Sequence, residues 1–168
     1  MSQTSEIEGP AELVGIPQVR AHLRLDDDYP AEQLQVYIGA AASAAEEFLN
    51  RRIFASETQR LEAVAGVPVL LAQAVAAHAA AIATADLVVD LDSRRAECSD
   101  ADATLREARA AATEIRRGIV VRPAIVQAIL LTIGHFFQHR SDVTEGDAEE
   151  LSMGCRYLLQ PFRIGLGV

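Results

Sequence analysis

The chain has 168 residues, half of them apolar, and a formal charge of -9 from 24 acidic against 15 basic side chains. This length can bury a core without disulfide or metal staples, and the acidity argues against a surface that grips phosphates, which rests on Lys and Arg. Much of the apolar half is Ala, only 5% of residues are aromatic and Trp is absent, so the composition favours helices and disfavours a β-sandwich.

Residues 1–15 are polar and turn-rich and read as an N-terminal arm without its own core. They contain no basic region followed by an apolar stretch, and no uninterrupted apolar run in the chain approaches the ~20 residues of a membrane span. A protein made in the cytoplasm, with no membrane partner, is expected. Pro17 suits a first helical turn and Ile16, Val19 and Leu23 share a face, which predicts a two-turn helix ending at Asp26, Asp27 and Asp28. From Pro30, Leu34, Tyr37, Ile38, Ala41, Ala45, Phe48 and Leu49 recur at helical spacing. They predict an amphipathic helix from about Ala31 to Arg51, with the Asp28 carboxylate near its N-terminal amides.

The segment from Ile53 to Val67 fits either an extended strand or a short helix. Pro68 is expected to open an Ala-rich helix running to about Val89, and "DLDSRRAECSD" to form a polar turn before a second helix from Asp100 to Arg117, capped by Gly118. Together, residues 67–118 predict an antiparallel helical hairpin inserted in the fold. "GIVVRP" reads as an extended link to Pro123, and Ala124 to His139 as a helix with almost no polar face, which has to be surrounded by its own fold or by a neighbouring subunit. A short helix then stops at Pro161, leaving residues 161–168 as a tail. The fold class expected is all-α: a helical bundle with a long inserted hairpin and extended terminal segments.

Chemical motifs are sparse. His135 and His139 stand four residues apart, but Phe136, Phe137 and Gln138 lie between them, so the glutamate of a zinc protease motif is missing. His22 and His78 have no clustered partners in sequence and read as ordinary helical positions. "DVTEGDAEE" has the acidity of a calcium loop without its alternating ligands or correctly placed Gly. Cys98 and Cys155 are distant and read as reduced thiols. Arg51, Arg52, Arg116 and Arg117 sit at predicted helix ends, where they offset the dipole. No catalytic residue, metal ligand or cofactor-binding residue is assigned; the chain reads as a non-enzyme without a cofactor.

Two stretches carry a family resemblance. The first is "VRAHLRLDDDYPAEQLQVYIGAAASAAEEFLNRRIF"; the second is "RPAIVQAILLTIGHFFQHRSDV" followed by "LSMGCRYLLQPFRIGLGV". Their order and combination resemble the head-tail connector, or head-completion adaptor, proteins of long-tailed bacteriophages over roughly Ile16 to Phe54 and Gly118 to Arg163. Phe137, Gln138, His139 and Met153 depart from residues common in that family.

The resemblance implies a structural virion protein of the neck, made in the host cytoplasm. It implies a homo-oligomeric ring, commonly dodecameric, seated below the portal. DNA passes through its centre without specific binding, and a stopper, head-tail joining or tail-completion protein attaches below. On this reading Leu159, Pro161, Phe162, Arg163, Ile164, Leu166 and Val168 are candidates for docking on the portal, with Phe162 as the apolar anchor and Arg163 as the charged donor. A tail folded back on its own helices is the alternative at that point. The alternative function is a helical-bundle protein-interaction module unrelated to virions.

Overall fold

A computed structural model of the chain describes residues 13–138 and 153–165. Their order is α1 (Ile16–Leu23), α2 (Ala31–Leu49), β1 (Ile53–Phe54), α3 (Glu57–Ala85), α4 (Leu91–Arg116), β2 (Ile119–Val120), α5 (Pro123–Gln138) and α6 (Met153–Leu159), followed by a 3-10 turn at Gln160–Phe162. The all-α expectation holds, with a parallel pair of two-residue strands as the only sheet among the described residues. The chain divides into two compact units, one formed by Met1–Ser56 with Ile119–Val168 and the other by Glu57–Gly118.

In the first unit α5 is the central element. Ile125, Ala128, Ile129, Leu130, Thr132 and Ile133 are buried, and α1, α2 and α6 pack around it. Its own fold therefore surrounds most of the apolar helix. The stripe of α2 meets it through Leu34, Ile38, Ala41, Ala42, Ala45 and Leu49. Leu13 and Val14, expected to belong to a coreless arm, are buried in the same cluster. The expected Asp28 cap does not form: Pro30 occupies the N-cap of α2, no side chain caps it, and Asp28 lies in the turn before it. That turn is held instead by Arg20, whose Nη2 donates to the Tyr29 carbonyl at 2.8 Å. Thr132, the buried polar residue of α5, donates to the Ala128 carbonyl at 2.9 Å and lies 3.4 Å from Cys155 Sγ on α6. Both Cys98 and Cys155 are free thiols.

The second unit is a helical hairpin with longer arms than expected. Pro68 lies inside α3 rather than at its start. It is exposed, so its ring stays out of the packed seam. The polar string after Val89 is the beginning of α4, because Asp90 accepts from the Ser93 amide at 2.8 Å and caps the helix there. The less exposed positions of α4 include, besides Ala103, Arg94, Cys98, Ala101, Leu105, Ala108, Ala112 and Ile115, in alternating steps of four and three. Those of α3 include Arg60, Val64, Val67, Leu71, Ala74, His78, Ile82 and Ala85, at nearly the same rhythm. A repeat of about 3.5 residues is that of a left-handed coiled coil, here with Ala at many seam positions. His78, expected to stand alone, pairs with Asp102 across the seam at 2.8 Å.

By length and composition α3 is apolar enough to cross a membrane, with a mean hydropathy of 1.7 over its most apolar window. The run is not an uninterrupted one, since Gln73 and His78 fall within it, yet no Asp, Glu or Arg occurs from Ala63 to Ala85. Its seam partner weighs against insertion of the hairpin. Helix α4 carries eleven Asp, Glu and Arg residues, and an Asp or Arg at a bilayer centre costs about 2.5–3.5 kcal/mol.

Candidate docking surface

Of the expected docking residues, Phe162, Arg163 and Ile164 lie at the C-terminal end of α2. That helix ends at Leu49 because Asn50 adopts the left-handed conformation (φ 55°), which Asn tolerates better than most side chains. The exposed end is then covered by the tail: the Ile164 amide donates to the Leu49 carbonyl at 3.2 Å, satisfying one of the carbonyls a helix end leaves free. Residues 162–165 therefore lie against their own fold in the isolated chain. Leu159 is fully buried in the core and fixes the segment from beneath, so its side chain offers no docking surface. Pro161 is exposed, Phe162 and Ile164 are half-buried and Arg163 is exposed. Leu166 and Val168 lie outside the described residues, as do His139 and the acidic string from Asp142 to Glu150.

The chemistry of this surface is cationic and aromatic. The Arg163 guanidinium carbon stands 4.8 Å from the centre of the Phe48 ring, and that of Arg122 stands 5.5 Å from the centre of Phe162. Each such contact contributes about 0.5–1 kcal/mol at an exposed site. Arg51 reaches the Phe162 carbonyl at 3.5 Å, a long contact. Burial, and secondarily the nearby Arg122 charge, hold the Arg51 guanidinium below its ordinary pKa. Arg52 is differently occupied, pairing with Glu46 at 3.1 Å; the same carboxylate accepts from the Ile53 amide at 2.8 Å and so ties β1 to α2. Among the described residues, neither Arg122 nor Arg163 pairs with a carboxylate. Two outward guanidinium groups thus face solvent on a chain of net charge -9.

Arg122 and Phe48 were not among the expected site residues. Arg122 is separated from the tail by about forty residues of sequence, and only the fold brings it over Phe162. A second exposed surface was also missed: on α6, Met153 and Tyr157 are 84% and 81% exposed one turn apart, and Leu131 of α5 is 36% exposed. Leu131 lies against α6, its Cδ1 3.9 Å from where a Cβ on Gly154 would stand. A short amphipathic helix gives too few residues for its outer face to be recognised as apolar before its inner face is known.

Among the described residues no group of three or more His, Cys, Asp or Glu side chains could hold a metal ion. What the surface can do chemically is bind: an apolar anchor and planar cations suit carboxylate-bearing protein surfaces. No curated protein and no solved structure matches the chain. A family model does match, over residues 15–153, and its description is phage gp6-like head-tail connector protein. With most of its length covered by that match, the chain belongs to the phage gp6-like head-tail connector family, whose members are structural proteins of the virion.

Proposed function

We propose that the protein is a neck subunit that assembles as a ring below the portal, continues the DNA channel, and presents its lower side to a stopper or tail-completion protein. The family match over residues 15–153 carries this reading. A ring requires heterologous contacts between two different surfaces of each copy. The exposed Leu131, Met153 and Tyr157 face supplies an apolar candidate for one of them. The acidic net charge suits a channel wall to which DNA does not adhere.

The portal contact is assigned to the cationic end of α2, with Arg122 and Arg163 meeting carboxylates of the portal and Phe162, the ring under Arg122, acting as the apolar anchor. Ile164, and Leu166 and Val168 beyond it, extend the same contact. Both arginines are exposed, so R122E/R163E is expected to leave thermal stability nearly unchanged while abolishing co-sedimentation with purified portal rings. Deletion of residues 162–168 is expected to do the same. Undiminished co-sedimentation of both variants would remove the portal assignment. The wider role is tested by electron microscopy of a lysate carrying an early stop codon in this gene. Filled or leaking heads beside unattached tails are expected, whereas intact tailed virions would leave only a helical interaction module.

A further inference from the structure

Helix α3 has three faces of different character, and among the described residues only one of them is covered. The seam face, from Arg60 to Ala85, lies on α4. At about 100° per residue, a second strip turned roughly 120° from it is centred on Ala72 and runs from Leu61 to Ala83 through Ala65, Val69, Val75 and Ala79. Every one of these residues is exposed, Leu61, Val69 and Val75 at 55%, 60% and 50%. The third face is exposed too, and there Glu62, Gln73 and Thr84 interrupt Gly66, Ala77, Ala80 and Ala81. The second strip differs in holding no polar side chain and no formal charge from end to end.

We propose that this strip pairs with the same strip of a second copy of the chain, antiparallel and two-fold about Ala72. The pattern of side-chain sizes is what selects this occupant. About Ala72 the inner pairs match in size: Val69 comes opposite Val75 of the second copy and Ala65 opposite Ala79, while Pro68 meets the smaller Ala76. The end pair, Leu61 with Ala83, differs in size but is apolar on both sides. Self-complementarity of one patch is the requirement of an isologous contact, and Ala at the two-fold lets the helix axes approach closely. A charged partner helix would leave its charges facing an uncharged strip without counter-ions. At about 1.5 Å per residue the strip is roughly 33 Å long. One helix pair of this length falls short of the ~800 Å² per partner typical of stable complexes, so the pairing is weak and depends on concentration. The inference does not rest on the connector role, since a closed two-fold contact cannot by itself propagate a ring.

Sedimentation velocity of the full-length protein from about 1 to 300 µM tests the proposal, with helix content followed by circular dichroism for each variant. Concentration-dependent self-association is expected for the natural chain. V69E/V75E, at two exposed positions, is expected to weaken it at least about tenfold, as for a central hot spot, with helix content unchanged. V69E/V75K is expected to restore association, because in the antiparallel register the acidic position of one copy meets the basic position of the other. A natural chain that stays monomeric, a V69E/V75E variant that associates as before, or a V69E/V75K variant that remains monomeric would each overturn the proposal. So would binding of the natural chain, without self-association, to vesicles of phosphatidylcholine and phosphatidylglycerol, which would assign the strip to a lipid surface.

Discussion

At single residues, the tail and the core make different demands. Gly165 has φ 75°, and a Cβ there would stand 2.7 Å from Asn50 Nδ2. The Asn50 amide can swing away, but the left-handed backbone still costs a non-glycine residue about 1–2 kcal/mol. G165A is expected to loosen the tail, seen as faster proteolysis after Arg163 with little change in the melting temperature of the core. N50G, which relieves the second left-handed position at the end of α2, is expected to hold or slightly raise stability in the same melt. The contrast is Ile129, fully buried at the middle of α5. I129A leaves a cavity and is expected to cost about 2–5 kcal/mol, measured as a fall in the urea midpoint at unchanged slope. The docking candidates divide along the same line: the apolar side chain of Leu159 is fully buried, whereas Pro161 and Arg163 are exposed.

At the level of elements, α2 and α5 were legible from periodicity, and the starts of α3 and α4 and the junctions were not. The stripe of α2 and the apolar run of α5 place both helices to within about two residues of their observed ends. The start of α4 was misread because charge density in "DLDSRRAECSD" resembles a turn, whereas Asp90 and the Ser93 amide make that same string a capped helix. Strand pairing between Ile53 and Ile119 was invisible, since two-residue strands have no period and their partners lie 66 positions apart. The cap gives the hairpin a pH signature. Hydrogen bonding from Ser93 holds the Asp90 carboxyl below the ordinary carboxylate range. The ionised cap therefore stabilises α4 fully above the unfolded-state pKa, and this contribution is lost as pH falls through the lower folded-state value. D90A is expected to lower the hairpin's melting temperature at neutral pH, and its difference from the natural chain to vanish in strong acid.

For the whole molecule, the two units differ in how much they bury. Only Val67 and Ala85 of α3 and Ala101, Leu105 and Ala112 of α4 are buried, against six residues each for α2 and α5. Local opening follows buried apolar contact, so hydrogen exchange is expected to be faster along α3 and α4 than along α5 in the isolated protein. Equal protection of all four helices would show that something covers the hairpin in solution. The family could be read from the ordered combination of "LRLDDDYP", the Ala-rich α2 and the "GHFFQHR" helix end. The cationic surface could not, because Arg122, Phe48 and Phe162 come from three distant segments. The hairpin is also the crossover that connects β1 to β2, two parallel strands lying side by side. Both of its arms depart from that one strand pair, and their seam repeats every seven residues from Arg60 to His78 of α3 and along α4. Length can therefore be added or removed as matched heptads, one in each arm, with the register of every remaining layer preserved. Across related phages, and in engineered chains, arm lengths differing by multiples of seven are the ones this architecture admits without rewinding the seam.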